Sequence, residues 1–199
     1  MEPREKIQAI FDQIEILTQE ERDLIVDRMI VDQFDKGTVL LRAGQITRRC
    51  YLVLEGCIRE YILTDGQDKT NAFYTEGEGT QVYIGGGKDE PSPHFLECIE
   101  DCVLMICNQS MEEQIRELVP RLDELLQEVS KQKVVEIRQE MTTFMHASPE
   151  ERYARLMETK PFIFNRVPHH QIASYLGMKP QSLSRIRKRI FDKASQTAG

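Results

Sequence analysis

No run of apolar residues in this 199-residue chain approaches the ~20 needed to span a bilayer. The opening MEPREKIQAIFDQ also lacks the apolar core of a secretion signal, so a cytoplasmic protein without membrane association is expected. Cysteine is sparse and late: Cys50, Cys57, Cys98, Cys102 and Cys107, with none before position 50. An odd number scattered through apolar surroundings does not suggest a disulfide framework. Strand alternation would put Cys98 and Cys102 on one face and Cys107 on the other, which disfavours a shared metal. Buried free thiols are expected, with no metal and no cofactor. The chain also shows no nucleophile–base pair of distinctive spacing and no paired-carboxylate signature. Gly85–Gly87 lacks the GK[ST] tail of a phosphate loop and reads as a turn. An enzyme is not expected.

Positive charge is scarce overall, with a net charge of −7, but it is unevenly placed. Residues 160–199 hold eight Lys or Arg against one acidic residue, Asp192, whereas the other 159 hold 18 basic and 32 acidic residues. A basic end on an acidic body suits a phosphate-binding module attached to a part that does something else. Hydrophobic residues at 40% and charged residues at 30% are ordinary for a globular protein.

The basic end contains HHQIASYLGMKPQSLSRIRK, residues 169–188. Ile172 and Leu176 fall on one helical face, and Leu183 and Ile186 on another, with Met178 between. Ala173 is small enough to let two helices cross closely. Gly177 suits the positive φ of a turn after a helix, and Pro180 suits the first turn of the next. The outward positions of that second helix are Gln181, Ser182, Ser184, Arg185, Lys188 and Arg189. Together these features predict a helix-turn-helix whose second helix, residues 180–190, could enter a DNA major groove. The plain alternative is a helical hairpin with a solvated basic face.

Taken in order, residues 3–31 read as two helices, the second opened by a Thr18/Glu21 capping box and ending near Gln33. Residues 34–107 read as roughly eight short strands punctuated by glycine, with Asp65-Gly66 a hairpin turn. That pattern predicts a double-stranded β-roll. A helix capped by Ser110 follows. A longer helix then begins after Pro120, with apolar Leu122, Leu126, Val129, Val134, Ile137, Met141 and Phe144. Their steps of three and four, with one slip of five between Val129 and Val134, predict a dimer helix. His146-Ala147-Ser148 reads as a hinge, and Ser148, Pro149 and Glu151 as a helix start. Residues 161–167 read as a short apolar link, and the nine residues after Ile190 as a disordered end. The fold class is therefore α+β. The expected parts are residues 1–117 (helices and roll), 118–146 (dimer helix) and 147–199 (helix-turn-helix).

This order of parts resembles the Crp/Fnr family of bacterial transcription regulators. FDKGTVLLRAGQ, YLVLEGCIREYI and IASYLGMKPQSLSRIRK carry the resemblance. It implies a jelly roll similar to a cyclic-nucleotide-binding domain, a homodimer, a palindromic double-stranded DNA site, and contact with RNA polymerase. Gln181 and Arg185 are the expected base readers, since Gln pairs with adenine and Arg with guanine edges. Lys179, Ser182, Lys188, Arg189 and His169 are the expected phosphate contacts.

Two departures from the family pattern matter. Cyclic-nucleotide binders carry a Gly-Glu pair and an Arg-Ser or Arg-Thr pair, which fall here on Gln81-Val82 and Ser92-Pro93. No Arg lies between Arg59 and Arg116, and only Lys69 and Lys88 are cationic there. A cyclic phosphate needs a fixed cation and backbone donors, so tight cyclic AMP binding is not expected. The effector small molecule is left unassigned, and the roll is either a sensor for another ligand or a constitutive scaffold. An iron–sulfur site fails for want of early cysteines, and a haem has only His94 and His146 to draw on. The second departure is a shortened or absent β-hairpin wing after the second helix, with Lys160, Arg166, His169 and Lys179 as substitute backbone contacts.

Overall fold

The computed structural model describes residues 2–12, 17–80 and 90–197. Two compact units divide the chain. The first comprises residues 1–62 and 72–133, and the second residues 63–71 and 134–199.

In the first unit, helices α1 (Pro3–Phe11) and α2 (Gln19–Val26) precede the strands. The Thr18/Glu21 capping box forms as expected: Glu21 N–H donates to Thr18 Oγ1 at 3.2 Å, and Thr18 N–H to the Glu21 carboxylate at 2.8 Å. α2 stops at Val26, short of the expected Gln33, because residues Ile30–Phe34 form strand β1 instead. Pairing with a neighbouring strand outweighs local helical spacing there.

The remaining strands are β2 (Val39–Leu41), β3 (Arg49–Glu55), β4 (Ile58–Thr64), β5 (Gln67–Tyr74), β6 (Phe95–Cys98) and β7 (Cys102–Asn108). They form a three-stranded sheet, β1-β7-β3, and a four-stranded sheet, β2-β6-β4-β5. One apolar core joins the two sheets: Tyr51, Val53 and Leu104 from the first meet Leu41, Ile58 and Leu96 from the second. This is the jelly roll that the glycine-punctuated strands predicted. Asp65 and Gly66 both take positive φ, 53° and 71°, which is the type I′ geometry that a two-residue hairpin prefers. Gly56, at φ 98°, is required on two counts: a Cβ there would lie 2.6 Å from both Asp101 O and Cys102 Sγ.

The outer face of the three-stranded sheet is covered by helices. Val26 and Ile7 pack on Leu54 and Met105, while Met111 and Ile115 of α3 (Gln109–Leu118) pack with Leu17 and Ile25. The cap of α3 is Asn108, whose Oδ1 accepts from Met111 N–H at 3.0 Å, not Ser110 as the sequence suggested. Starting the helix two residues earlier lets β7 run straight into it.

Helix α4 (Leu122–His146) carries the chain from the first unit into the second. The second unit continues with α5 (Pro149–Thr159), α6 (Ile163–Arg166), α7 (His169–Tyr175) and α8 (Pro180–Thr197). Ser148 caps α5 by a full capping box, with Glu151 N–H to Ser148 Oγ at 3.3 Å and Ser148 N–H to Glu151 at 2.7 Å. The expected apolar link at 161–167 contains the short helix α6, which inserts Ile163 and Phe164 into the core. α8 runs to Thr197, so the residues after Ile190 continue the helix through 197 and are not the disordered end expected.

Candidate nucleic-acid interface

The helix-turn-helix is built from α7 and α8. Ile172, Ala173 and Leu176 on one helix and Leu183 and Ile186 on the other are buried, with Ile172 and Ala173 at 0% exposure. The methyl-sized side chain of Ala173 allows the close crossing that its position predicted. Gly177 ends α7 at φ 67°, and Met178 N–H donates back to Ala173 O at 3.0 Å, closing a left-handed helix cap. Tyr153 of α5 and Phe164 of α6 pack edge to face, with ring centroids 5.0 Å apart, and complete the core.

Arg152 is a residue that sequence reasoning missed. From α5, its Nη1 donates to Leu176 O at the end of α7 (3.2 Å), and its Nε donates to Phe144 O near the end of α4 (3.1 Å). Its guanidinium also lies 4.1 Å from the Phe144 ring centroid. A cation placed on two helix C-terminal carbonyls meets the negative ends of two dipoles. Arg152 therefore fixes α7 against the end of α4 and supports the turn at Gly177, where a Cβ would come within 3.1 Å of Arg152 Nη1. Nothing in residue spacing marks it, because both of its carbonyl partners are backbone atoms.

With Leu183 and Ile186 turned inward, α8 presents Gln181, Arg185 and Lys188 outward, all exposed. Steps of four and three keep these side chains on one face. Lys179 is exposed just before the helix, and Ser182 is half-buried. Two other expected phosphate contacts already have partners. Arg189 pairs with Glu150 of α5, and His169 is bonded by Arg187, a residue not among the expected contacts. The Arg189–Glu150 pair is exposed on both sides and holds little energy. Ser184 hydroxyl donates to Pro180 O at 3.1 Å, within the helix.

The second unit also includes the tip of the β4–β5 hairpin, residues 63–71. There Thr70 N–H donates to Ser174 Oγ of α7 at 3.0 Å, and that hydroxyl lies 3.4 Å from Asp68 O. A single serine on the first helix of the motif thus satisfies backbone groups of the hairpin.

On α4, Val134, Ile137 and Met141 are 65%, 42% and 63% exposed, and Val135 and Met145 are also exposed. This is a long apolar stripe for a helix surface. Phe144 is shared between that stripe and Arg152. The side chains of Leu122, Leu126 and Val129 lie outside the described residues, as do Gln81, Val82, Gly85–Gly87 and Lys88.

In the roll, Ser92 and Pro93 are the residues that the family pattern aligned with a phosphate-binding pair. Ser92 is 3% exposed, its N–H donates to Gln45 O at 2.9 Å, and its Oγ accepts from His94 N–H at 3.1 Å. His94 Nδ1 lies 2.9 Å from the buried carboxylate of Glu60, which also accepts from Tyr74 hydroxyl at 2.7 Å. Burial and the Glu60 charge push the Tyr74 phenol well above its usual range. Cys98 ends β6 and Cys102 begins β7 in the other sheet, contrary to the shared strand face expected. All five cysteines are free thiols, but Cys50 and Cys107 are only half-buried. Among the described residues no helix is long and apolar enough to cross a membrane, and no group of three or more His, Cys, Asp or Glu is placed to hold a metal.

A two-sheet roll with helices at both ends defines a class, and the comparisons agree. Residues 31–117 match the cyclic nucleotide-binding domain family. Beyond that domain, the chain has the fold of Crp/Fnr transcription regulators, as the sequence motifs suggested. FixK2 from Bradyrhizobium japonicum superposes with a TM-score of 0.68 at 16% identity, covering 83% of this chain and 86% of its own. The catabolite activator protein of Thermus thermophilus gives a TM-score of 0.55 at 18% identity, covering 91% and 87%. CLP of Xanthomonas campestris, described as a c-di-GMP responsive global regulator, gives 0.64 at 15% identity, covering 86% and 93%. No curated protein is significantly similar to the chain in sequence.

Proposed function

We propose that this protein is a homodimeric, DNA-binding transcription regulator of the Crp/Fnr type that works in the cytoplasm and is not an enzyme. The observation that carries the reading is the face of α8. Leu183 and Ile186 anchor the helix, and Gln181, Arg185 and Lys188 project from the opposite side. Gln181 and Arg185 read bases, while Lys179, Ser182, Lys188 and, once released from their partners, Arg189 and His169 hold phosphates. The exposed Val134/Ile137/Met141 stripe on α4 is the dimer seam, continued by Leu122, Leu126 and Val129 toward its start. Two-fold symmetry then gives a palindromic site with half-sites about one helical turn, or a multiple of it, apart. Contact with RNA polymerase is carried over from the family resemblance.

Cyclic AMP is not the controlling ligand in this reading. The N–H of Ser92 is already bonded to Gln45, Pro93 has none, and no Arg occurs between Arg59 and Arg116. Calorimetry is expected to show no sub-micromolar complex with cyclic AMP. Selection of bound DNA from a random pool tests the main proposal. A recovered palindrome, bound with an affinity that falls steeply with salt, is the expected result; no enrichment over input would reject DNA recognition.

A further inference from the structure

The five thiols occupy two different environments. Cys57, Cys98 and Cys102 are 0%, 0% and 2% exposed. Cys50 and Cys107 are half-buried, and the antiparallel register of β3 and β7 sets them directly opposite one another. Directly opposed residues in such a ladder have Cα atoms about 4.5–5.5 Å apart, inside the roughly 4.4–6.8 Å that a disulfide spans. Strand alternation puts both on the outer face of the three-stranded sheet, along with Leu52 and Met105. There Cys107 packs against the Met111/Ile115 side of α3.

The pair is chemically unequal. A hydrogen bond between the two thiols raises Cys50 well above the usual thiol range, with burial adding to the effect, and the same bond lowers Cys107. The nearby Glu112 carboxylate opposes ionisation of both. Cys107 is thus the sulfur that ionises first, with a second thiol already in contact. This is the arrangement of an attacking and a resolving cysteine.

We infer that Cys50 and Cys107 form a redox-active dithiol that closes to a cross-strand disulfide when the protein meets hydrogen peroxide. The Cys107 thiolate attacks one peroxide oxygen, the O–O bond breaks, and a sulfenic acid and hydroxide result. The Cys50 sulfur then attacks the sulfenic sulfur, an S–S bond forms, and the sulfenic oxygen leaves as water with the Cys50 proton. The hydroxide takes up the proton first lost from Cys107. In sum, two thiols and one peroxide give one disulfide and two waters. Cys107 immediately precedes Asn108, the cap of α3, so the new bond ties β3 to the point where sheet becomes helix. The inference does not depend on DNA binding.

The buried Cys98–Cys102 pair is the internal comparison. These thiols also share a hydrogen bond, which raises Cys98, but the Cys102 thiol is turned toward Glu100 O (3.3 Å) and both are buried from solvent. The test treats the reduced full-length protein with equimolar hydrogen peroxide, quenches by alkylation, and maps non-reduced peptides by fragmentation. The expected result is loss of two thiols per chain and a link joining Cys50 to Cys107 within one chain, reversed by dithiothreitol. Retention of five alkylatable thiols, a Cys98–Cys102 link, or a link between chains would overturn it. In Cys50→Ser, a sulfenic acid trapped by a 1,3-diketone is expected at Cys107. In Cys107→Ser, the peroxide-dependent loss of the Cys50 thiol should cease, and rapid oxidation of Cys50 in that variant would reject the assigned roles. The wild-type link map decides the proposal even if a variant fails to fold.

Discussion

Arg185 and Lys188 lie about one turn apart on the exposed face of α8, yet their chemistry predicts different consequences of removal. Arg185→Ala should cost about 1–3 kcal/mol of binding and relax the preference at one base position. Competition against single-base variants of the selected site checks this; equal weakening on all of them would make Arg185 a phosphate contact. Lys188→Ala should weaken all sequences alike and reduce the slope of log affinity against log salt by about one. Arg152 acts on the protein rather than on DNA. Because it bonds Phe144 O and Leu176 O from a half-buried position, Arg152→Ala should lower stability by about 1–2 kcal/mol. Thermal denaturation would measure that, and Arg152→Lys should recover only part, since one ammonium cannot reproduce the planar fork.

At the scale of elements, the helix starts were the most legible features. The boxes at Thr18 and Ser148 form as their spacing predicts, because a hydroxyl and a glutamate three residues apart need only local backbone to find each other. Where tertiary pairing competes, local signals lose: α2 ends seven residues before Gln33 would require, since Ile30–Phe34 are recruited by β7. The Thr18 box gains a partner the sequence did not show, as Arg121, just before α4, bonds the Glu21 carboxylate. That guanidinium, with the Thr18 N–H, holds the Glu21 carboxyl down at about 2. A carboxyl depressed in the folded state stabilises fully above its ordinary pKa, and the contribution is lost as pH falls toward the folded value. Acid titration of Arg121→Ala should therefore show Glu21 protonating at higher pH than in the parent protein, where it stays ionised until about pH 2, but still below the normal carboxylate range because the Thr18 bonds remain. NMR of the Glu21 side chain reads this directly.

For the whole molecule, the proposed dimer rests on the exposed apolar stripe on α4. A charge at Ile137 or Met141 should convert a dimer to monomers, because an ion buried in a helix seam has no water and no partner. Sedimentation velocity checks this, and an unchanged dimer would remove α4 as the seam. Monomers should also lose the steep preference for two half-sites over one.

The chain's own order of residues determined the roll, the long helix and the helix-turn-helix, because each rests on local periodicity, on glycine at turns and on caps. It also placed the exposed face of α8, since Leu183 and Ile186 can be buried in only one orientation. Tertiary structure alone decided which of the expected phosphate contacts are already engaged: Arg189 by Glu150 and His169 by Arg187, pairs separated by 39 and 18 positions. It likewise put Cys50 opposite Cys107, which depends on the β3–β7 register. Register is set by the burial of two sheet faces at once, and no window of sequence contains both strands.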